Sequence, residues 1–159
     1  MDEIMSLMAH QSVKFPTPQG PKVPHAGTFN AHPITLAAGL AALRELNQGS
    51  YEKLNSLGAK LREGLVEVSR SKGATTQITG VGSLFNIEFT ERETSDNRTA
   101  TADLTMRRCL DLYLLNRGIY LPPTHFGCVS TVSTEGHVDE TINIISEGLE
   151  FLKPLTRQG

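Results

Sequence analysis

The chain has 159 residues, a hydrophobic content of 38% and a formal net charge of −2. That content allows the core of one domain, and the near-neutral charge provides no basic field of the kind that binds nucleic acid. Asp2 and Glu3 stand where a secretion signal would be basic, and no apolar run approaches the roughly 20 residues of a membrane span. We therefore expect a cytoplasmic protein that binds neither nucleic acid nor a membrane.

The first third of the chain predicts an arm followed by two helices. Residues 9–33 contain five prolines, which exclude a regular helix or a central strand. Segments of this length are often ordered by a partner, so residues 1–32, after a short helix over 2–8, are expected to form an arm or interface segment. Pro33 suits the first turn of a helix that extends to about residue 46, and this helix would open a small domain over residues 33–159.

The second helix is expected to begin at a Ser50 cap and to end at Gly73. Apolar residues at intervals of three and four give it a core-facing stripe, namely Leu54, Leu57, Leu61, Leu65 and Val68.

Alternation with a period of two then predicts strands at Ile78 and over residues 84–89, joined by a tight turn at 80–82. Glu88 should lie on the solvated face of the second strand. Further elements are a helix over 101–117, short strands over 119–121 and 129–132, and a last helix over 136–153. This order predicts an α+β fold, a two-layer sandwich with helices on one face of a small mixed or antiparallel sheet.

The residue types exclude several kinds of site. Cys109 and Cys128 have no partner at metal-ligand or redox spacing, and we expect both to be buried small hydrophobes. His25 and His32 stand seven residues apart on a loop without a nearby cysteine, which does not match a zinc site. We therefore predict no metal site.

The turn at Gly27 and Thr28 is the main candidate for a binding site. Backbone N–H groups and a hydroxyl just before a helix are suited to phosphate recognition, although an ordinary turn would use the same residues. His125 follows Pro122, Pro123 and Thr124 on a loop and could face a cleft.

Several stretches, in order along nearly the whole chain, resemble the class III pyridoxal-phosphate aminotransferases, most closely the glutamate-1-semialdehyde aminomutase branch. Residues 27–42 resemble the motif G-T-x-x-x-x-P-x-x-x-A-A-G, and residues 2–5 resemble the stretch that follows the cofactor-binding lysine. Residues 81–85, 117–123 and 133–142 resemble the G-S-M-F, R-G-V-Y-L-A-P and H-T-x-x-D-I segments.

The resemblance implies a fold-type I enzyme that moves an amino group between an amino acid and a carbonyl compound. It implies that Gly27 and Thr28 bind the phosphate of pyridoxal phosphate held by the neighbouring subunit of a dimer. None of the six lysines, at positions 14, 22, 53, 60, 72 and 153, has the setting of the Schiff-base lysine. We therefore expect a C-terminal part of such an enzyme, with no catalytic residue, no covalently bound cofactor and no activity alone.

The chain departs from the aminomutase pattern at the substrate loops. Asn30, Ala31 and His32 stand where that branch usually reads S-G-N, and Gly127 stands where an acid usually follows the phenylalanine. The resemblance places Asn30, His32 and His125 in these loops, and it leaves the amino donor open. The alternative to an enzyme part is a free-standing interaction or ligand-binding module with the same fold.

Overall fold

A computed structural model of the protein describes residues 27–93, 103–122 and 126–156, with side chains described as far as residue 153. The described residues form four helices and three strands. The helices are α1 (Pro33–Glu45), α2 (Gln48–Lys72), α3 (Leu104–Asn116) and α4 (Glu135–Thr156), and the strands are β1 (Thr76–Thr79), β2 (Leu84–Phe89) and β3 (Phe126–Cys128).

The chain divides into two compact units, of which the first ends at Leu46 and the second begins at Asn47. Helix α1 therefore belongs to the first unit and all other elements belong to the second. The division predicted between residues 32 and 33 stays a prediction. The predicted helix over 2–8, most of the predicted arm and His125 lie outside the described residues.

Helix α2 begins earlier than the sequence predicts. Its N-cap is Asn47, whose Oδ1 accepts a hydrogen bond from the Ser50 backbone N–H at 3.1 Å. The predicted Ser50 cap is therefore wrong, because Asn47 is an equally good cap and lies one turn ahead. The predicted end is confirmed, since Gly73 has a left-handed φ of 66° and the Ala74 N–H donates to the Ser69 carbonyl at 2.9 Å.

The three strands form an antiparallel sheet in the order β1-β2-β3, which confirms the predicted α+β fold. The strand predicted over 119–121 does not form. The strand predicted over 129–132 is also wrong, because β3 occupies Phe126–Cys128 instead. Ser133 explains the error: its N–H donates to the Ser130 carbonyl at 3.0 Å and its Oγ accepts from the Ser130 N–H at 3.1 Å, so these residues form a turn.

The core lies between one face of β2 and the helices of the second unit. Phe85, Ile87 and Phe89 alternate along β2 and are buried. The helices contribute fully or almost fully buried aliphatic side chains, of which the largest are Leu61, Leu65, Leu114, Ile145 and Leu152. None of the described helices is long and apolar enough to cross a membrane.

Two predictions about polar and thiol groups are wrong. Glu88 is not solvated, because its side chain is only 15% exposed, its Oε1 lies 3.7 Å from Arg107 Nη1 and the Asn86 side-chain amide donates to it at 2.9 Å. Cys128 is exposed and Cys109 is only partly buried. Cys128 pairs with Leu84, on the face of the sheet opposite to Phe85, and therefore points away from the core.

Candidate functional site

The predicted site residues near the start of α1 lie on one compact turn. The Asn30 N–H donates to the Gly27 carbonyl at 3.1 Å, and the His32 N–H donates to the Phe29 carbonyl at 3.2 Å. Gly27, Thr28, Asn30 and His32 therefore come together within six residues of chain, and all four are exposed.

Side chains also pack across this turn. A side chain on Gly27 would meet the Asn30 amide, since an ideal Cβ there would lie 2.6 Å from Asn30 Oδ1. The rings of Phe29 and His32 stack edge to face, with centroids 6.2 Å apart. The turn is thus held by its own residues.

Ala31 has a φ of 60°, which is left-handed and unusual for a residue with a side chain. This conformation costs an L-residue about 1–2 kcal/mol. The sequence carries a signal for this strain, because Ala31 stands where the aminomutase branch usually has glycine. The strain lies on the residue that leads from the turn into α1.

No side chain neutralises the positive end of the helix dipole at the start of α1. His32 makes no side-chain capping hydrogen bond, and the first turn contains no acidic residue. The positive end of the helix dipole is therefore available to an anion from outside the helix. Among the described residues no hydrogen bond involves the Thr28 hydroxyl, which is exposed beside this helix end. The turn therefore offers an anion a helix start without an acidic residue and a hydroxyl that can donate.

Lys60 is held as an ammonium ion. Its Nζ lies 2.8 Å from Asp139 and 3.3 Å from Glu135, and the hydrogen bond to Asp139 raises the pKa of Lys60 above its usual value. A lysine that forms a Schiff base needs the opposite, a lowered pKa that frees the amine.

The other lysines in the described ranges are also engaged. Lys53 Nζ donates to the Thr131 carbonyl at 2.8 Å, and the Nζ atoms of Lys72 and Lys153 lie 3.2 and 2.8 Å from Glu150. Lys14 and Lys22 lie outside the described residues.

In the second unit, two further stretches of the resemblance meet at a cavity of about 180 Å³. Ile119 and Tyr120 line it together with Cys128, Ser133 and His137. Thr134 caps α4 here: its Oγ1 accepts from the His137 N–H at 3.2 Å, and His137 Nδ1 accepts from the Thr134 N–H at 3.4 Å.

Comparison with known proteins bears out the resemblance. The family described as Aminotransferase class-III matches residues 2–149. The chain is 36% identical over 140 residues to a glutamate-1-semialdehyde 2,1-aminomutase of Akkermansia muciniphila, covering 86% of this chain and 33% of that protein. It is 39% identical over 137 residues to a glutamate-1-semialdehyde 2,1-aminomutase of Thermus thermophilus, covering 83% of this chain and 32% of that protein. The chain thus spans about a third of the length of these relatives.

Solved structures show the same relationship. An omega-transaminase from Sphaerobacter thermophilus is 37% identical and superposes with a TM-score of 0.70, over 87% of this chain and 32% of that one. A β-phenylalanine aminotransferase from Variovorax paradoxus is 29% identical and superposes with a TM-score of 0.71. The superposition covers 98% of this chain and 35% of that one. On these matches the chain belongs to the class III aminotransferase family.

Proposed function

We propose that this chain supplies a phosphate-binding turn and the small domain of a pyridoxal-phosphate-dependent aminotransferase or aminomutase. Such an enzyme moves an amino group between an amino acid and a carbonyl compound, or within one molecule. The observation that carries the proposal is the exposed Gly27–Thr28 turn at the unneutralised start of α1, in a chain of this family.

The residues of the turn have separate roles in this proposal. Thr28 donates its hydroxyl hydrogen to a phosphate oxygen, and the start of α1 stabilises the negative charge of that phosphate. Gly27 allows the turn to close, because a side chain at this position would collide with the Asn30 amide. The cofactor, when bound, supplies an electron sink for the chemistry at the amino-bearing carbon.

The proposal assigns the covalent attachment of the cofactor to a part of the enzyme other than this chain. The described lysines support this assignment, because Lys60 and Lys72 pair with carboxylates and Lys53 donates to a carbonyl. The cavity near Tyr120 and His137 lies on two stretches that resemble the family, and its small size suits only a part of a substrate.

We expect the chain to bind pyridoxal phosphate reversibly, without a covalent lysine bond. Binding should be weakened about tenfold by Thr28→Val, which keeps the shape but removes the hydroxyl, and retained by Thr28→Ser. Equilibrium dialysis measures the binding, and borohydride reduction followed by peptide mapping detects the covalent bond. One lysine labelled at one cofactor per chain after gel filtration would overturn the assignment. Equal binding by Thr28→Val would overturn the role of Thr28.

The proposal includes a second copy of the chain as partner. Helix α1 has no buried residue, and the exposed fractions of Ile34, Leu36, Leu40 and Leu43 range from 51% to 74%. Helices that are apolar all round are normally covered. Sedimentation velocity should show a dimer that Leu36→Glu with Leu40→Glu dissociates, whereas a monomer of the unaltered chain at high concentration would contradict this.

The alternative, a free-standing interaction or ligand-binding module, makes a different prediction for the same dialysis. Such a module has no reason to prefer pyridoxal phosphate to pyridoxal, which lacks the phosphate. A loss of binding when the phosphate is absent therefore favours the enzyme part, and equal binding of the two compounds favours the module.

A further inference from the structure

The side chain of Asn30 fills the space that a side chain on Gly27 would need. An ideal Cβ on Gly27 would lie 2.6 Å from Asn30 Oδ1, 3.0 Å from Cγ and 3.1 Å from Nδ2. All three distances are tighter than ordinary van der Waals contact. The amide of Asn30 is therefore packed directly against the backbone of residue 27.

A backbone hydrogen bond joins the same two residues. The Asn30 N–H donates to the Gly27 carbonyl at 3.1 Å, so both the backbone and the side chain of Asn30 contact Gly27, with Thr28 between them. The Asn30 side chain is the obstacle to a larger residue at position 27.

We propose that Asn30 is a positioning residue, which holds the Gly27–Thr28 turn in the shape that presents Thr28 to a phosphate. This inference rests on the proposed function. It differs from the resemblance, which places Asn30 at the substrate, because the contacts of Asn30 lie within the turn. A turn that is already closed loses less entropy when the anion binds, and its affinity is higher for that reason.

A double-mutant cycle tests this role with inorganic phosphate as the probe. The unaltered chain, Asn30→Ala, Gly27→Ala and the double variant are titrated while the Thr28 amide is followed by NMR. We expect Asn30→Ala to weaken phosphate binding about three- to tenfold, because the side chain that packs against Gly27 is lost. We expect Gly27→Ala to weaken it by displacing Asn30, and to have a much smaller effect in the Asn30→Ala background.

The control is Asn47→Ala, which removes the same side chain from the cap of α2 in the other unit and should leave phosphate binding unchanged. Backbone chemical shifts of α1 show whether each variant keeps the helix. Additive effects of Gly27→Ala and Asn30→Ala, or unchanged binding in Asn30→Ala, would overturn the positioning role and leave the proposed function intact. No shift of Thr28 in the unaltered chain would overturn the proposed function, and this inference with it.

Discussion

Replacing Gly58 with alanine is expected to destabilise the second unit by about 3 kcal/mol. A Cβ on Gly58 would collide with the carbonyl oxygen of Gly82 and lie 3.1 Å from Arg62 Nη1. The carbonyl belongs to the turn between β1 and β2, and Arg62 Nη1 donates to it and to the Leu84 carbonyl, both at 2.8 Å. Overpacking against backbone costs about 1–3 kcal/mol, and the two hydrogen bonds would be strained as well.

The matched control is Gly49→Ala in the same helix. A Cβ on Gly49 would lie 3.4 Å from Asn47 Oδ1, which is ordinary contact, so this variant should gain up to about 1 kcal/mol from the better helix propensity of alanine. Urea unfolding followed by circular dichroism compares the two. Equal transition midpoints for Gly58→Ala and Gly49→Ala would show that α2 does not pack closely against the turn between β1 and β2.

This contact illustrates what the sequence can and cannot predict. The tight turn over residues 80–82 follows from its glycines, and the buried face of α2 follows from its leucine spacing. Neither pattern shows that Gly58 and Gly82, 24 positions apart, lie against one another, because periodicity assigns a residue to a face and not to a partner. The burial of Glu88 was missed for the same reason, since its ion-pair partner Arg107 lies on a later helix.

Element ends were missed where two local signals compete. Asn47 and Ser50 are both good helix caps, and the chain uses the first. Val129 and Val132 suggest a strand, yet the serines between and after them close a turn by hydrogen bonding to the backbone. In both places a side chain that hydrogen-bonds to the backbone determines where the helix or strand begins or ends. The apolar pattern alone does not determine this.

At the candidate site, the sequence could identify the residue types but not their contacts. Gly27 and Thr28 were identified from a motif, and the structure places them at an uncapped helix start. The strain at Ala31 could have been inferred from an alanine at a glycine position. The packing of Asn30 on Gly27 could not, because it depends on the path of the backbone through the turn.

Truncation of Leu114 to alanine is expected to cost the second unit about 2–5 kcal/mol, the range for leucine in a well-packed core. Leu114 is 0% exposed and lies in the last turn of α3. The chain leaves this turn through the hydrogen bond from the Ile119 N–H to the Leu114 carbonyl at 2.9 Å and then lines the cavity with Ile119 and Tyr120. The cavity left by the variant would therefore loosen the helix end on which this part of the candidate site rests.

Leu112→Ala provides the matched control, because Leu112 is on the same helix and 63% exposed. Its removal should change the free energy of unfolding by no more than about 0.5 kcal/mol, since little apolar surface returns to water. Thermal and urea unfolding report the difference, and hydrogen exchange at Ile119 and Tyr120 reports the loosening. Equal stabilities of the two variants would mean that α3 does not pack through Leu114. Faster exchange at these two amides in Leu114→Ala alone would show that the core side of α3 holds the stretch that lines the cavity.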